Sequence, residues 1–263
     1  MGRNIKSAHL NEDFFNQDSI IVWYLLGALV KTYIPLKGSN RTIIFRNRSY
    51  KLIEILRESL ECKNSIVSDN RGKNSHFLTV SNERLFLNLE QRGLTPDKGD
   101  RRFPEDIPPE FMNDYVRGFI ENECFGKPGE ITAKLDLYFN HEYLAGLNEA
   151  LRRYCGVEKK SVTGDHIEYG ITDLTTVYNF IYGDGERFHL PEIKEKFKLI
   201  DSYFIKLKER RDNKAEKAKI LLREGKNGIE TSRILGYKSE ISFYTFFRKH
   251  TGVGIREFKT GYQ

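Results

Sequence analysis

Apolar residues recur along the chain in two rhythms, one typical of helices and one typical of half-buried strands. Over 50–60 every third or fourth residue is apolar, which predicts an amphipathic helix. Over 131–139 apolar and polar residues alternate, which predicts a strand with one buried and one wet face. The longest apolar run, 20–30, predicts a buried core helix that is too short to span a bilayer.

These patterns occur twice in the same order. Segments 24–32 and 115–123 each place a tyrosine three residues before a glycine, Gly27 or Gly118. Behind each segment the sequence predicts a turn, a strand, a helix, two strands and a helix. A repeat of this length predicts two similar half-domains packed through their first helices, where a glycine lets two backbones approach closely. The predicted fold class is α+β, with two pseudo-symmetric αββαββα repeats.

The boundaries of the predicted elements follow from capping and turn residues. Ser81 is the predicted N-cap of the helix that Gly93 ends, and Asn140 and Gly156 bound a helix in the second repeat. The other predicted elements are a turn at 37–40, strands at 41–45, 65–68, 77–80, 161–163 and 167–171, and helices at 82–92, 141–154, 173–181 and 192–213.

A connector rich in charge and proline, 97–109, separates the two repeats. The predicted domains are a tail at 1–12, a domain at 13–190 with repeats at 18–96 and 112–185, a helical linker at 191–213, and a helix-turn-helix domain at 214–263.

The charge of the chain is concentrated in its last part. The formal net charge is +6, and residues 201–263 hold 15 Lys and Arg against 8 Asp and Glu. This distribution is typical of an appended nucleic-acid-binding module. The three cysteines are widely spaced, so neither a disulfide framework nor a zinc site is indicated. With no secretory signal and no membrane-spanning segment in the sequence, we expect the cytoplasm of a bacterial or phage-infected cell.

The repeated segments resemble the LAGLIDADG family of homing endonucleases and their non-cutting relatives. The resemblance covers roughly residues 13–185. It is carried by Leu26 and Gly27 and by the segments 93–99, 103–108 and 115–119.

The resemblance implies that each central helix delivers one carboxylate at its end, and that the pair holds Mg²⁺ over the scissile phosphates. The family position five residues after the glycine is Glu123 in the second repeat, the predicted metal ligand, but Thr32 in the first. A neutral, monodentate hydroxyl is a poor Mg²⁺ ligand, so we expect impaired cleavage. Lys98 matches a basic position near the family's active site and is the second catalytic candidate.

The resemblance also implies that strands of a curved sheet lie along the DNA and contact it with outward residues. Cations supply contacts to phosphate, and groove contacts supply specificity. The candidates are Lys37, Arg41 and Arg46 in the first repeat and Lys127, Lys134 and Tyr138 in the second.

The tail resembles the second helix-turn-helix of AraC-type regulators. The matching positions are Gly236 at the turn, the aromatic Tyr237, Phe243 and Phe247 four residues apart, and the run 249–252. The family pattern is broken by Thr231, where an apolar residue is usual, and by Ile255 in place of a proline. In such a unit the second helix enters the major groove with its N-terminal part. The candidates are therefore Lys238, Ser239, Glu240 and Ser242 for bases, and Arg248 and Lys249 for phosphates.

The resulting hypothesis is a monomeric, sequence-specific binder of double-stranded DNA, a transcriptional regulator or site-marking protein derived from a homing endonuclease. Its architecture is similar to that of WhiA-type regulators. The alternative is an active Mg²⁺-dependent LAGLIDADG endonuclease or nickase, and a third hypothesis is a protein–protein adaptor without DNA binding. Mg²⁺ is expected as a cofactor only if the protein is catalytically active.

Overall fold

The computed structural model describes residues 10–35, 41–69, 75–123, 134–183 and 188–261. The chain divides into two compact units, Met1–Ile200 and Asp201–Gln263. Each unit has its own cluster of buried apolar side chains.

The αββαββα pattern of the predicted fold class is confirmed in the first repeat, although its first strand was not among the strands predicted from the residues. Its elements are α1 (Ile20–Thr32), β1 (Tyr33–Pro35), β2 (Thr42–Asn47), α2 (Tyr50–Ser59), β3 (Val67–Asp69), β4 (Ser75–Ser81) and α3 (Glu83–Gln91). The predicted N-cap of α3 was wrong by one residue. The Asn82 side chain accepts from the backbone N–H of Leu85 at 2.8 Å, whereas Ser81 ends β4, opposite Thr42. The hydroxyls of Ser81 and Thr42 lie 3.0 Å apart, so Ser81 belongs to the sheet.

The first repeat folds its four strands into one antiparallel sheet with the order β1-β2-β4-β3. Ile43 and Phe45 of β2 and Leu78 and Val80 of β4 are buried, so one face of the sheet covers the core. The alternate residues form the opposite, wetter face, as a period of two requires. Helices α2 and α3 contribute Leu52, Leu56, Leu85 and Leu89 to the same core.

The second repeat contains α4 (Met112–Glu123), β5 (Lys134–Tyr138), α5 (His141–Ala150), β6 (His166–Gly170) and α6 (Ile171–Tyr182). β5 and β6 pair antiparallel, with Leu137 opposite Ile167, and both side chains are buried. Asn140 caps α5 by accepting from the N–H of Tyr143 at 2.8 Å. A π-helical turn, Leu151–Cys155, extends α5 to the left-handed Gly156.

The predicted strand at 161–163 was wrong. Thr163 forms only an isolated bridge with His166, in which the two residues exchange backbone hydrogen bonds of 2.9 and 3.1 Å. Gly164, at φ 61°, makes the tight turn between them. This turn reverses the chain within four residues, so Thr163 pairs with His166, the first residue of β6, across the turn. Residues 161–163 therefore do not form a separate strand.

The second unit is helical in its described part, and its boundary with the first unit lies within α7 (Pro191–Arg223). α7 covers the predicted linker 191–213 and continues ten residues beyond it. After it come α8 (Gly228–Ile234), α9 (Glu240–Thr251) and α10 (Ile255–Thr260). The core of this unit consists of Ala218, Leu222, Phe243, Phe247 and Phe258.

Thr231, the residue that breaks the apolar pattern of the tail, lies on α8 with its side chain fully buried. Its Oγ1 has no hydrogen-bond partner among the described residues. A buried hydroxyl without a partner costs about 1–3 kcal/mol. An apolar residue of similar size at position 231 would avoid this cost.

Candidate functional site

The two central helices, α1 and α4, meet backbone to backbone at their glycines. A Cβ atom added at Gly27 would overlap the carbonyl oxygen of Tyr115, and one added at Gly118 would overlap that of Tyr24. The contact is reciprocal, because each glycine lies against the tyrosine three residues before the other. This is the close approach that the repeated glycines predicted, and it brings the two halves of the first unit together at one point.

Thr32, at the first acid position, is the last residue of α1. Its side chain is buried, and its hydroxyl donates a hydrogen bond of 2.9 Å to the carbonyl of Ala28 in the same helix. Such a bond one turn back is a common use of a helical threonine. The oxygen is neutral and already committed to its own backbone, so it is a poor ligand for a metal ion.

Two cations occupy the end of α1. The guanidinium of Arg101 donates to the carbonyl of Val30 and, at 2.9 Å, to that of Thr95, while the ammonium of Lys98 donates to the carbonyl of Lys31. Burial lowers the pKa of the Lys98 ammonium, and the neighbouring charges of Arg101 and Lys31 lower it further. Positive groups at a helix C-terminus are favoured by the helix dipole. The structure therefore brings the two candidates Lys98 and Thr32 together.

These residues do not fit a divalent cation at the end of α1. Mg²⁺ needs several oxygen ligands, preferably carboxylates, and the groups that converge here are Lys98 and Arg101, which are donors with positive charge. In the described part of the chain, no three His, Cys, Asp or Glu side chains are grouped so that they could hold a metal ion.

Glu123 is the last residue of α4, at the position that corresponds to Thr32, and its side chain lies outside the described part of the structure. The residue before it is held in place: the amide of Asn122 donates to the carbonyl of Ala28 at 3.2 Å and accepts from the amide of Asn47. Asn122 is thus held by neutral groups, whereas the carbonyls of Val30 and Lys31 near the end of α1 are held by cations.

Glu121, two residues before Glu123, points into the core. It accepts from the hydroxyls of Tyr24 and Tyr182, each at 2.6 Å, and from the backbone N–H of Leu190 at 3.0 Å. Burial raises the pKa of its carboxyl to about 7, although these hydrogen bonds and the nearby Arg117 act in the opposite direction. Glu121 therefore has a structural position, and it is not a second acid for the candidate site.

Of the three cations predicted to contact DNA in the first repeat, the two that the structure describes have partners. Arg41, just before β2, pairs with Glu83 at 3.1 Å, and the guanidinium of Arg46 donates to the hydroxyl of Ser75 at 3.0 and 3.1 Å. Arg46 lies on the wetter face, opposite Phe77 of β4. Lys37 and Lys127 lie outside the described residues.

Among its described residues, the wet face of the second sheet carries more acid than base. The ammonium of Lys134 lies 2.6 Å from Glu168 and 3.3 Å from Asp136, and the second carboxylate also contacts His166 at 3.0 Å. The ring of Tyr138 stacks on His166 at 4.6 Å. The charge of Lys134 is therefore compensated locally, which weakens it as a phosphate contact. The assignment of all these residues to DNA stays a prediction.

The tail candidates lie on or next to α9. Gly236 adopts a left-handed conformation, φ 73°, and Ser239 occupies the N-cap position of α9 without a side-chain cap hydrogen bond. Phe243 and Phe247 face the core. The other candidates lie at the surface: Lys238, Ser242, Arg248 and Lys249 are exposed, and Glu240 is half-buried. Their roles stay predictions.

Sequence reasoning missed Arg101, the partners of Glu121, and Ile241. Arg101 is one of two adjacent arginines in a charged connector, and nothing in the sequence distinguishes the buried one from the exposed Arg102. Tyr182 and Leu190 are separated from Glu121 by most of the second repeat, so only the fold shows their contact. Ile241 is an apolar residue within a helix, and its sequence position does not show that it is exposed.

No protein-family model and no curated protein sequence matches this chain. Among the described residues, no helix is both long and apolar enough to cross a membrane. A solved structure of the homing endonuclease I-WcaI bound to its DNA recognition sequence is similar over 75% of this chain and 94% of that chain, with a TM-score of 0.50 at 14% identity.

Two other solved structures are similar at lower TM-scores. Full-length DUF199/WhiA from Thermatoga maritima matches over 98% of this chain and 99% of its own, with a TM-score of 0.42 at 12% identity. The N-terminal LAGLIDADG domain of DUF199/WhiA matches over 74% and 98%, with a TM-score of 0.39 at 16% identity. The fold assignment rests on the first likeness: over three quarters of its length this chain has the α+β fold of that homing endonuclease.

Proposed function

We propose that this protein binds double-stranded DNA at specific sequences, as a transcriptional regulator or site-marking protein built on a homing-endonuclease fold with impaired cleavage. The observation that carries the proposal is the end of α1. There the hydroxyl of Thr32 is bonded to its own helix, and the last carbonyls are occupied by Lys98 and Arg101.

The argument from this site is electrostatic. Cleavage of both strands needs metal ions that stabilise the attacking and leaving oxygens on each strand. This site lacks the anionic ligands that a metal ion needs, because Thr32 is not a carboxylate and Arg101 is buried against the helix carbonyls. Lys98, which is exposed at the same place, favours contact with a phosphate group of the DNA backbone.

The second unit supports DNA binding independently of the first. It is rich in Lys and Arg, and it presents the exposed side of α9 between Lys238 and the pair Arg248 and Lys249. A helix whose N-terminal residues reach base edges and whose neighbours grip phosphate is the usual arrangement of a helix-turn-helix reader. Two unequal halves in the first unit and a single such helix in the second favour an asymmetric target.

The test begins with binding. The full-length protein is incubated with a random duplex library in EDTA, and bound duplexes are selected, sequenced and measured by titration at several salt concentrations. We expect one enriched asymmetric sequence, and an affinity that falls about a thousandfold or more between roughly 50 and 200 mM salt, as for several phosphate contacts. Absence of any enriched duplex would contradict the proposal and favour the adaptor hypothesis.

Cleavage is then measured on the selected duplex in Mg²⁺ and in Mn²⁺. We expect the wild-type protein to leave both strands intact. Glu123→Gln tests the position that the family resemblance assigns to metal, and Glu105→Gln, at an exposed acid in the connector, is the matched control. If the proposal is right, the protein makes no sequence-specific double-strand products that Glu123→Gln abolishes and Glu105→Gln preserves. Such products would contradict the proposed impairment of cleavage, but they would not contradict the proposed DNA binding.

One observation favours a nickase as the second candidate: Glu123 ends α4 as the resemblance requires, while Thr32 ends α1. A single acid permits hydrolysis of one strand at most. Separate labels on the two strands distinguish a nick from a double-strand break. A nick confined to one strand and lost in Glu123→Gln would establish this alternative.

A further inference from the structure

Ile241 is a large apolar residue that is mostly exposed to solvent. Its side chain is 76% exposed, the largest exposed fraction of any large hydrophobic side chain in the described part of the chain. A single exposed isoleucine is ordinary on a protein surface, so its location decides whether it has a role. It is the second residue of α9, in the turn of the helix that reaches base edges in a helix-turn-helix reader.

The exposed face of α9 has an apolar beginning and a cationic end. Phe243 and Phe247 are fully buried on one side of the helix. Ile241, Thr245 and Arg248 follow one another at helical spacing on the other side and are exposed. The face that is turned away from the core therefore begins with an isoleucine.

Thr245 adds to the apolar character of this face. Its hydroxyl donates a hydrogen bond of 2.9 Å to the carbonyl of Ile241 within the helix. That bond commits the hydroxyl to the backbone, so Thr245 offers a base edge its methyl group more readily than a donor. Ile241 and Thr245 together form an apolar strip on the N-terminal half of α9.

Cations flank this strip on both sides along the chain. Lys238 precedes α9 and Arg248 and Lys249 lie in its last turn, and all three are exposed. Within the described residues none of the three takes part in an ion pair, in contrast to Lys134 and Arg41 in the first unit. An apolar strip between uncompensated cations complements a DNA groove, in which apolar base methyl groups lie between two phosphate backbones.

We propose that Ile241 reads a thymine by packing against its 5-methyl group in the major groove. This inference rests on the proposed DNA binding and adds a specificity determinant to it. The thymine methyl is the one apolar group among the base edges of the major groove, and apolar side chains recognise it. The methyl contact favours thymine over cytosine and over uracil, whose edge differs from that of thymine only by this methyl group.

The test uses the duplex selected by the full-length protein and replaces each thymine in turn by uracil. At one position we expect wild-type affinity to fall about fourfold, the effect of removing one buried methyl group from contact. Ile241→Ser lowers the affinity for the thymine duplex and binds the thymine and uracil duplexes equally. Ile205→Ser makes the same chemical change at another exposed isoleucine, on α7, and keeps the fourfold preference.

The outcomes separate this inference from the proposed function. Specific binding without any sensitive thymine, or a sensitivity that Ile241→Ser retains, overturns the thymine contact alone. Failure to select any duplex overturns both proposals. If Ile241→Ser leaves DNA affinity unchanged but alters the mass of the protein in solution, Ile241 serves a protein contact and the inference is wrong. Because Ile241 is largely exposed, the variant is expected to unfold at the same temperature as the wild type.

Discussion

The ends of the two central helices differ although the helices meet symmetrically. At Gly27 and Gly118 the halves make the same contact with each other's tyrosine. Five residues later they diverge, with a buried threonine beside two cations at the end of α1 and a glutamate after an amide-bound asparagine at the end of α4. The comparison teaches that packing constrains the two halves equally, whereas the polar groups at the ends of the two helices differ independently of that contact.

The strongest test of the shared constraint is substitution of either glycine. Gly27→Ala and Gly118→Ala each place a methyl group on a backbone carbonyl that cannot move aside. We expect each to lower the free energy of unfolding by more than about 3 kcal/mol, beyond the usual cost of overpacking and in spite of the higher helix propensity of alanine. Urea unfolding of both variants measures the effect.

The matched control for the glycines is Gly170→Ala. A Cβ atom at Gly170 meets nothing within 4 Å, and its φ of −70° suits any residue. We expect a change of less than about 0.5 kcal/mol there. If Gly27→Ala and Gly118→Ala lowered the free energy of unfolding by very different amounts, the two halves would not be equally constrained by the contact.

A second prediction concerns Glu121, whose counterpart in the first half is the apolar Val30. Burial raises the pKa of Glu121 to about 7, so the folded state holds this proton more tightly than the unfolded state. The tighter proton binding adds to the free energy of unfolding, and this contribution is fully present below the ordinary pKa near 4.5. It is lost as the pH rises through 7, a change in the free energy of unfolding on the order of 3 kcal/mol. Chemical denaturation of wild type and Glu121→Gln between these pH values measures it.

The difference between the two proteins isolates this carboxyl from the other titrating groups. We expect the stability of Glu121→Gln relative to wild type to rise with pH through this window. A flat difference would show that the hydrogen bonds from Tyr24, Tyr182 and Leu190 outweigh burial and keep the carboxyl ionised.

A third prediction concerns the cations at the end of α1. Arg101→Met removes the donor for the carbonyls of Val30 and Thr95, and because the guanidinium is buried, solvent does not replace it. We expect a loss of about 2 kcal/mol, typical of hydrogen bonds from a charged group. Arg102→Met, at an exposed neighbour, is expected to change stability by less than about 0.5 kcal/mol. Equal effects would mean that Arg101 does not support α1.

The smallest change in the free energy of unfolding is expected at Thr32, the residue in which the end of α1 differs from the end of α4. Thr32→Val keeps the shape of the side chain and removes only a hydroxyl bonded to its own helix, so we expect a change of less than about 1 kcal/mol. DNA affinity in Mg²⁺ should also be unchanged, as measured by titration of the selected duplex. A loss of Mg²⁺-dependent binding or nicking in Thr32→Val would assign a catalytic position to Thr32.

The sequence predicted the parts of this fold that depend on local pattern. The repeated glycines, the alternation along β5 and the caps at Asn140 and Gly156 are each set by a few neighbouring residues, and the structure has all of them. The short strand predicted at 161–163 failed because a four-residue turn and a strand share the same polar and β-branched residues. Only the observed pairing of Thr163 with His166 separates them.

The candidate site was less predictable because its groups are far apart in sequence. The spacing from Gly27 identified Thr32, and the resemblance identified Lys98. Arg101 and Glu121, in contrast, are defined by burial and by partners on other elements. Local spacing in the sequence predicts which residues share one face of a helix or strand. It does not predict which charged residue is buried by other elements of the fold.

The hydrogen bond from Leu190 to Glu121 sets a limit on how the protein can be divided into fragments. A recombinant piece that stopped at the end of α6 would contain the complete second repeat and yet leave a buried carboxyl without its backbone donor. Fragments of the first unit should therefore extend into the first turn of α7, because Leu190, just before this helix, and Ile193, within it, are both buried. The chain after the repeats is, in this respect, a structural part of the domain that it follows.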